Sequence, residues 1–141
     1  MNTNDIEKHF CEVTAEDIKN VLAADKKHET YITLPTILIN GNEYAVAANE
    51  EEADNATRQY IEDSICYFNS SFLAEHSDVP EEVFEFLANK GFFNNEAYKS
   101  MIYDMDDFVD DAIDADGRGH FLGSYDGKEY EIGEYFLYRI K

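Results

Sequence analysis

The stretch from Asn95 to Asp116, NEAYKSMIYDMDDFVDDAIDAD, restricts what this chain can fold into more than any other part of it. Projected at about 100° per residue, Tyr98, Met101, Ile102, Met105, Phe108, Val109, Ala112 and Ile113 share one arc. Asp104, Asp107, Asp111 and Asp114 share the opposite arc at spacings of three and four, with Asp106 and Asp110 at its edge. The pattern predicts one amphipathic helix, with an apolar stripe toward a core and a row of carboxylates toward solvent. Asp is a poor helix former, and like charges four residues apart repel. A helix selected for stability alone would not carry this row, so the row is the first candidate for function.

The charge around the row extends the argument. The formal net charge is −20, from 31 acidic and 11 basic residues. Between Glu43 and Asp116, 20 acidic residues face only Arg58, Lys90 and Lys99, a local net of −17. A field of that sign excludes nucleic acid and anionic membrane as direct ligands of the middle of the chain, and it favours a cationic protein groove or metal cations. The charge does not imply disorder. Of the 141 residues, 44% are hydrophobic and 14% aromatic, enough for the core of a single domain over residues 1–141. Cys11 and Cys66 are too few and too far apart for a disulfide framework or a zinc site, and among apolar neighbours they read as buried thiols. Met1 to Glu7 is polar and lacks the apolar segment of a secretory leader, and no run is long enough to span a bilayer. A cytoplasmic protein without a cofactor is expected.

Residues up to Val13 are expected as a short helix or arm. Thr14 with Asp17 has the spacing of a capping box and predicts a helix to about Asp25, with Ile18, Val21 and Leu22 inward and Lys26, Lys27 and His28 at its negative end. Tyr31–Ile39 reads as a strand in which Pro35 argues for an edge or a bulge, Asn40-Gly41 is a type I′ hairpin signal, and Glu43–Ala48 pairs back. Asn49 is expected to cap a long helix with Glu50, Glu51 and Glu52 in its first turn. That helix would bury Ile61, Ile65, Phe68 and Phe72 and expose Glu51, Asp54, Arg58 and Glu62. Asp78 and Glu81 suggest a second capping box, with Pro80 in the first turn, for a helix that buries Val83, Phe84, Phe86 and Leu87 and stops at Gly91. Phe92-Phe93 anchors a turn, Asn94 or Asn95 caps the acidic helix, and Gly117 ends it. Asp126-Gly127 predicts a hairpin joining His120–Tyr125 to Lys128–Ile132, with Tyr135–Ile140 as the last strand. The order predicts an α+β fold: an antiparallel sheet, made of an N-terminal hairpin plus a C-terminal meander, packed by roughly three or four helices on one face.

Three kinds of chemistry compete for the acidic region. Residues seven apart on a helix rise roughly 10 Å. The Asp row therefore repeats at a spacing comparable to successive phosphates, which follow at several Å along a DNA strand. Asp104, Asp107, Asp110, Asp111 and Asp114, joined by Glu51, Asp54 and Glu62 from a neighbouring helix, can present charge to a basic partner as a phosphate backbone does. The plain alternative is a solvated face that keeps the protein soluble, yet −20 exceeds the magnitude of about 2 to 8 that suffices for a small domain. A metal site is the second reading. Asp114-Ala-Asp116-Gly-Arg118-Gly starts like a calcium loop but offers Arg118 and Tyr125 where such a loop needs an oxygen ligand and a glutamate. The match fails, and a helix C-terminus with Gly117 beyond it explains the residues better; cation binding along the Asp row stays open. Catalysis is the third reading. Asp116, Arg118 and His120 could serve as base, anion clamp and acid, but Arg118 can instead pair with Asp114 or Asp116 and His120 can cap the helix end. No nucleophile elbow, phosphate loop, HExxH or paired-cysteine motif accompanies them.

The blocks EEEADNATRQYIEDSICYFNSSFLAEH (Glu50–His76) and DADGRGHFLGSYDGKEYEIGEYFLYRI (Asp114–Ile140) resemble a family of acidic proteins encoded by phages and prophages. The shared features are the acidic helix, the DGRGHFL-x-x-YDG turn and a YxxYRI-like last strand, over about two thirds of the chain. The resemblance implies a phage origin and a place in the host bacterial cytoplasm. By charge and size the chain also resembles phage anti-restriction and anti-CRISPR inhibitors, several of which mimic DNA. Together these expectations describe a non-enzymatic inhibitor that binds the basic nucleic-acid-binding surface of a host defence or regulatory complex. The alternative is a phage accessory protein that forms a homodimer or holds a partner through Phe92, Phe93, Tyr125 and Tyr130.

Overall fold

The computed structural model describes residues 13–24 and 30–141. Residues 1–12 of the expected arm, Cys11 among them, and the basic trio Lys26, Lys27 and His28 lie outside the described residues. In chain order the elements are α1 (Ala15–Ala24), β1 (Thr30–Tyr31), β2 (Leu34–Ile39), β3 (Asn42–Ala47), α2 (Glu50–Asp63), a 3-10 turn (Ile65–Tyr67), α3 (Ser70–Glu75), α4 (Glu81–Asn89), α5 (Asn95–Met101), α6 (Met105–Asp116), α7 (Arg118–Leu122), β4 (Tyr130–Ile132) and β5 (Tyr135–Arg139). The chain forms two compact units, one from residues up to Thr57 together with Arg118–Lys141, the other from Arg58–Gly117.

The first unit is an antiparallel sheet in the order β1-β2-β3-β5-β4, and with its helices it makes the fold α+β, as the sequence predicts. Asn40 and Gly41 take positive φ angles, 50° and 81°, and close the expected hairpin with Ile39 opposite Asn42. β3 and β5 are central and buried on both faces. Tyr44, Val46 and Leu137 form a core with Ile18 of α1, while Ala45, Ala47, Phe136 and Tyr138 are buried on the other side. Residues on both faces of these two strands are therefore buried. The Thr14–Asp17 capping box is present: the Thr14 N–H donates to Asp17 Oδ2 at 3.0 Å and the Asp17 N–H to Thr14 Oγ1 at 3.2 Å. Val21, expected inward, is exposed, because α1 meets the sheet along its Ile18–Leu22 edge.

Two strand expectations are corrected. Tyr31–Ile39 is interrupted at Ile32 and Thr33, whose φ angles of 49° and 69° turn the chain so that Tyr31 faces Leu34 and Thr30 faces Pro35. His120–Tyr125 is not a strand: α7 occupies its start, and the Asp126-Gly127 turn closes onto it through the Gly127 N–H to Gly123 carbonyl bond at 2.7 Å. The reason is close backbone approach. A Cβ on Gly119 would lie 2.6 Å from the Lys128 carbonyl carbon, and one on Gly123 would lie 2.7 Å from the Lys128 oxygen. The hairpin forms one step later, between β4 and β5, with Ile132 opposite Tyr135.

The second unit is helical. α2 begins within the first unit, where Asn49 caps it by accepting the Glu52 N–H at 2.9 Å and Glu52 reaches back to the Ala48 N–H at 3.0 Å. α2 stops at Asp63, so Ile61, Ile65, Phe68 and Phe72 do not share one helix. The Asn95 side chain binds the Asp63 carbonyl and accepts the Cys66 N–H at 3.1 Å, and Asn69 caps α3 through the Phe72 N–H at 2.8 Å. Phe68 and Phe72 each pack edge-on against Phe108 of α6, at 5.0 and 4.9 Å between centroids. The expected box of Asp78 and Glu81 is absent: Pro80 is the cap residue of α4, and Asp78 accepts the Tyr103 hydroxyl instead. In α4 only Phe84 is fully buried, while Val83 and Phe86, expected inside, face solvent. Gly91, at φ 71°, ends that helix as expected, with the Phe92 N–H bonded to the Leu87 carbonyl at 2.9 Å.

Candidate partner-binding surface

The acidic stretch is two helices, α5 and α6, where the sequence predicts one. Ile102 forms a bridge with Ser77, and the Tyr103 N–H donates to the His76 carbonyl at 2.9 Å, so the backbone between the helices is bonded sideways and not along an axis. Asp104 thereby leaves the row. It is the N-cap of α6, and its carboxylate accepts the N–H groups of Asp106 at 3.0 Å and Asp107 at 3.3 Å. Asp106 and Asp107 sit in the first turn, where the helix dipole favours negative charge. Asp110, Asp111, Asp114 and Asp116 do not share that benefit. Asp110 and Asp111 lie at mid-helix, and Asp114 and Asp116 lie in a last turn that ends in carbonyls and has no basic residue.

Phe108, Val109 and Ala112 are buried, and Asp107, Asp110, Asp111 and Asp114 are exposed on the opposite face. Basic side chains reach two carboxylates of α6. Arg58 binds Asp106 and lies 3.5 Å from Glu62, so Glu62 joins the acidic helix through a shared guanidinium. The Asp106 hydrogen bond holds Arg58 above its ordinary range, against a smaller loss of hydration. His76 Nε2 lies 3.2 Å from Asp111, its ring between Phe72 and Phe108. Among the described residues, the carboxylates of Asp107, Asp110 and Asp114 take no ion-pair partner. The unit as a whole has 15 acidic residues against Arg58, Lys90 and Lys99, a net of −12.

Glu51 and Asp54 belong to the first unit. Glu51 is exposed, whereas Asp54, also exposed, is held by Arg118 at 3.0 Å. Arg118 is the hub of that unit. It also contacts Glu129 at 2.8 Å and Glu50 at 3.8 Å, and its guanidinium lies over the Phe136 ring at 4.8 Å. Burial works against its charge, and hydrogen bonds to Glu129 and Asp54 outweigh that and raise its pKa. Arg118 is therefore committed to structure and does not stand open as an anion clamp; His120 packs its ring edge-on against Phe121, and Asp116 is exposed on the last turn of α6. Around Arg118 opens a cleft of about 840 Å³, lined by Glu50, Glu129, Glu131, Glu134 and Phe136 among others. Sequence reasoning did not assemble it, because β4, the β4–β5 turn and α2 bring these residues together. Its excess of carboxylates suits a cation and not a phosphate.

The expected aromatic surface divides. Phe92 and Phe93 are exposed in the helical unit. In the sheet unit, the Arg139 guanidinium covers the Tyr125 ring at 3.7 Å, and Tyr130 packs against Tyr44 and donates its hydroxyl to Asp126. Sequence reasoning missed Tyr67, which is exposed because α2 ends before it. Cys66 is a buried free thiol, and burial pushes its pKa up. Among the described residues, no helix is long and apolar enough to cross a membrane, and no three His, Cys, Asp or Glu side chains are grouped to hold a metal ion. No family model, curated protein or solved structure matches the chain.

Proposed function

We propose that this chain is an inhibitor encoded by a phage or mobile element, acting in the cytoplasm of a bacterial host. It binds a basic nucleic-acid-binding surface of a defence or regulatory complex through the acidic face of α6. One observation carries the reading: Asp107, Asp110 and Asp114 stand exposed and, among the described residues, without ion-pair partners, and Asp114 stands against the helix dipole, on a unit of net charge −12. Fold stability does not account for the exposed charges at Asp110 and Asp114, and a cationic partner does. Asp107, Asp110, Asp111 and Asp114 make the contact, Glu62 extends it, and Asp104 and Asp54 serve the fold.

The test is capture of partners from bacterial lysate at low salt, elution in NaCl steps, and assay of the eluted complex for nucleic-acid binding with and without the protein. Elution at moderate salt and loss of nucleic-acid binding are expected. Reversal of Asp107, Asp110 and Asp114 to Lys should abolish capture with the fold intact. Capture that survives this reversal would sink the proposal.

A further inference from the structure

Tyr67 and Phe93 form a stacked pair in the helical unit, with centroids 5.0 Å apart and planes inclined by 25°. Their exposures are 71% and 45%. Phe92, also exposed, stacks on the buried Tyr98 at 6.4 Å. The backbone on either side is fixed: the Cys66 N–H is held by Asn95, and Asn94 caps α5 by accepting the Ala97 N–H at 3.0 Å. Aromatic surface left in water forgoes hydrophobic stabilisation. A pair already held in place also loses little freedom when it binds.

Charge decides what covers it. A net of −12 on the unit excludes a nucleic-acid strand, and a second copy of the chain would bring another −20. The occupant is a cationic protein surface. Between its two cations, an aromatic face selects guanidinium over ammonium, because guanidinium is planar, delocalised and weakly hydrated. We infer that the Tyr67–Phe93 pair is the docking point for arginine side chains of the basic partner. The inference rests on the function proposed above and narrows it: the partner surface is rich in arginine and not merely in positive charge. Arginines of that kind stack on bases when they hold a nucleic-acid strand, and here they meet rings of comparable shape.

Oligo-arginine and oligo-lysine peptides of equal length test this by calorimetry at one fixed NaCl concentration. The intact protein should prefer oligo-arginine by about tenfold, and Phe93→Leu and Tyr67→Ser should each bring that preference to within about twofold. Phe93→Leu keeps an apolar side chain at a half-exposed position, and Tyr67 stands in solvent, so both variants keep their thermal midpoints. A variant with Asp107, Asp110, Asp111 and Asp114 all changed to Asn should weaken both peptides equally and keep the ratio. An unchanged ratio in the aromatic variants overturns the arginine inference alone. Unchanged affinity in the Asp→Asn variant overturns the proposed function.

Discussion

Tyr138 donates its hydroxyl to Glu129, which Arg118 also holds, and Tyr130 donates to Asp126. Burial raises both phenols well above the ordinary tyrosine value, and the acceptor carboxylates add to the shift. A pKa raised in the folded state contributes stability that is complete below the unfolded value of about 10 and is lost as pH climbs toward the folded one. Stability against urea should therefore hold on the neutral side and fall above about pH 10. Tyr138→Phe should reduce that alkaline slope and cost about 1–2 kcal/mol at neutral pH. Alkaline ionisation of all tyrosines without loss of structure, followed by phenolate absorbance, would contradict this. A second residue-scale prediction concerns Thr33, which is exposed and β-branched at φ 69°. Thr33→Gly should raise stability by about 1 kcal/mol, read as a higher urea midpoint.

The elements record two kinds of acidic residue. Asp104→Ala removes a cap and should cost about 1 kcal/mol, whereas Asp110→Asn and Asp114→Asn should be neutral or stabilise by a few tenths. Denaturant midpoints of the three variants separate fold from function along one helix. Gly119→Ala and Gly123→Ala would each drive a methyl group into backbone and should cost more than about 2 kcal/mol. Capping and turn chemistry are written locally, so Thr14, Asn49, Asn40-Gly41, Gly91 and Gly117 were legible as helix and hairpin boundaries. The breaks at Asp63 and Ile102 were not, because tertiary bonds make them: Asn95 reaches across to Asp63 and Cys66, and Tyr103 bonds to His76. The exposed half of the Asp row was readable from helical period alone. The pairing of Asp54 was not legible because its partner Arg118 lies 64 residues away, and Tyr67 was missed because its exposure follows from the break at Asp63.

At the scale of the whole molecule, charge sets the behaviour. Self-repulsion in a chain of net charge −20 opposes the compact state, and salt screens it. The thermal midpoint should rise from low to moderate NaCl, and a fall would contradict that account. The same screening should weaken partner binding, so stability and affinity should move in opposite directions with salt. The most direct measurement titrates the protein into the captured partner bound to labelled nucleic acid, at about 50 and about 200 mM NaCl. The intact chain should displace the nucleic acid, at least tenfold less effectively at the higher salt, and the Asp107, Asp110, Asp111 and Asp114→Asn variant should not displace it at either. Simultaneous binding of protein and nucleic acid to the partner, or equal displacement by the variant, would contradict the proposal that this acidic face takes the place of a phosphate backbone.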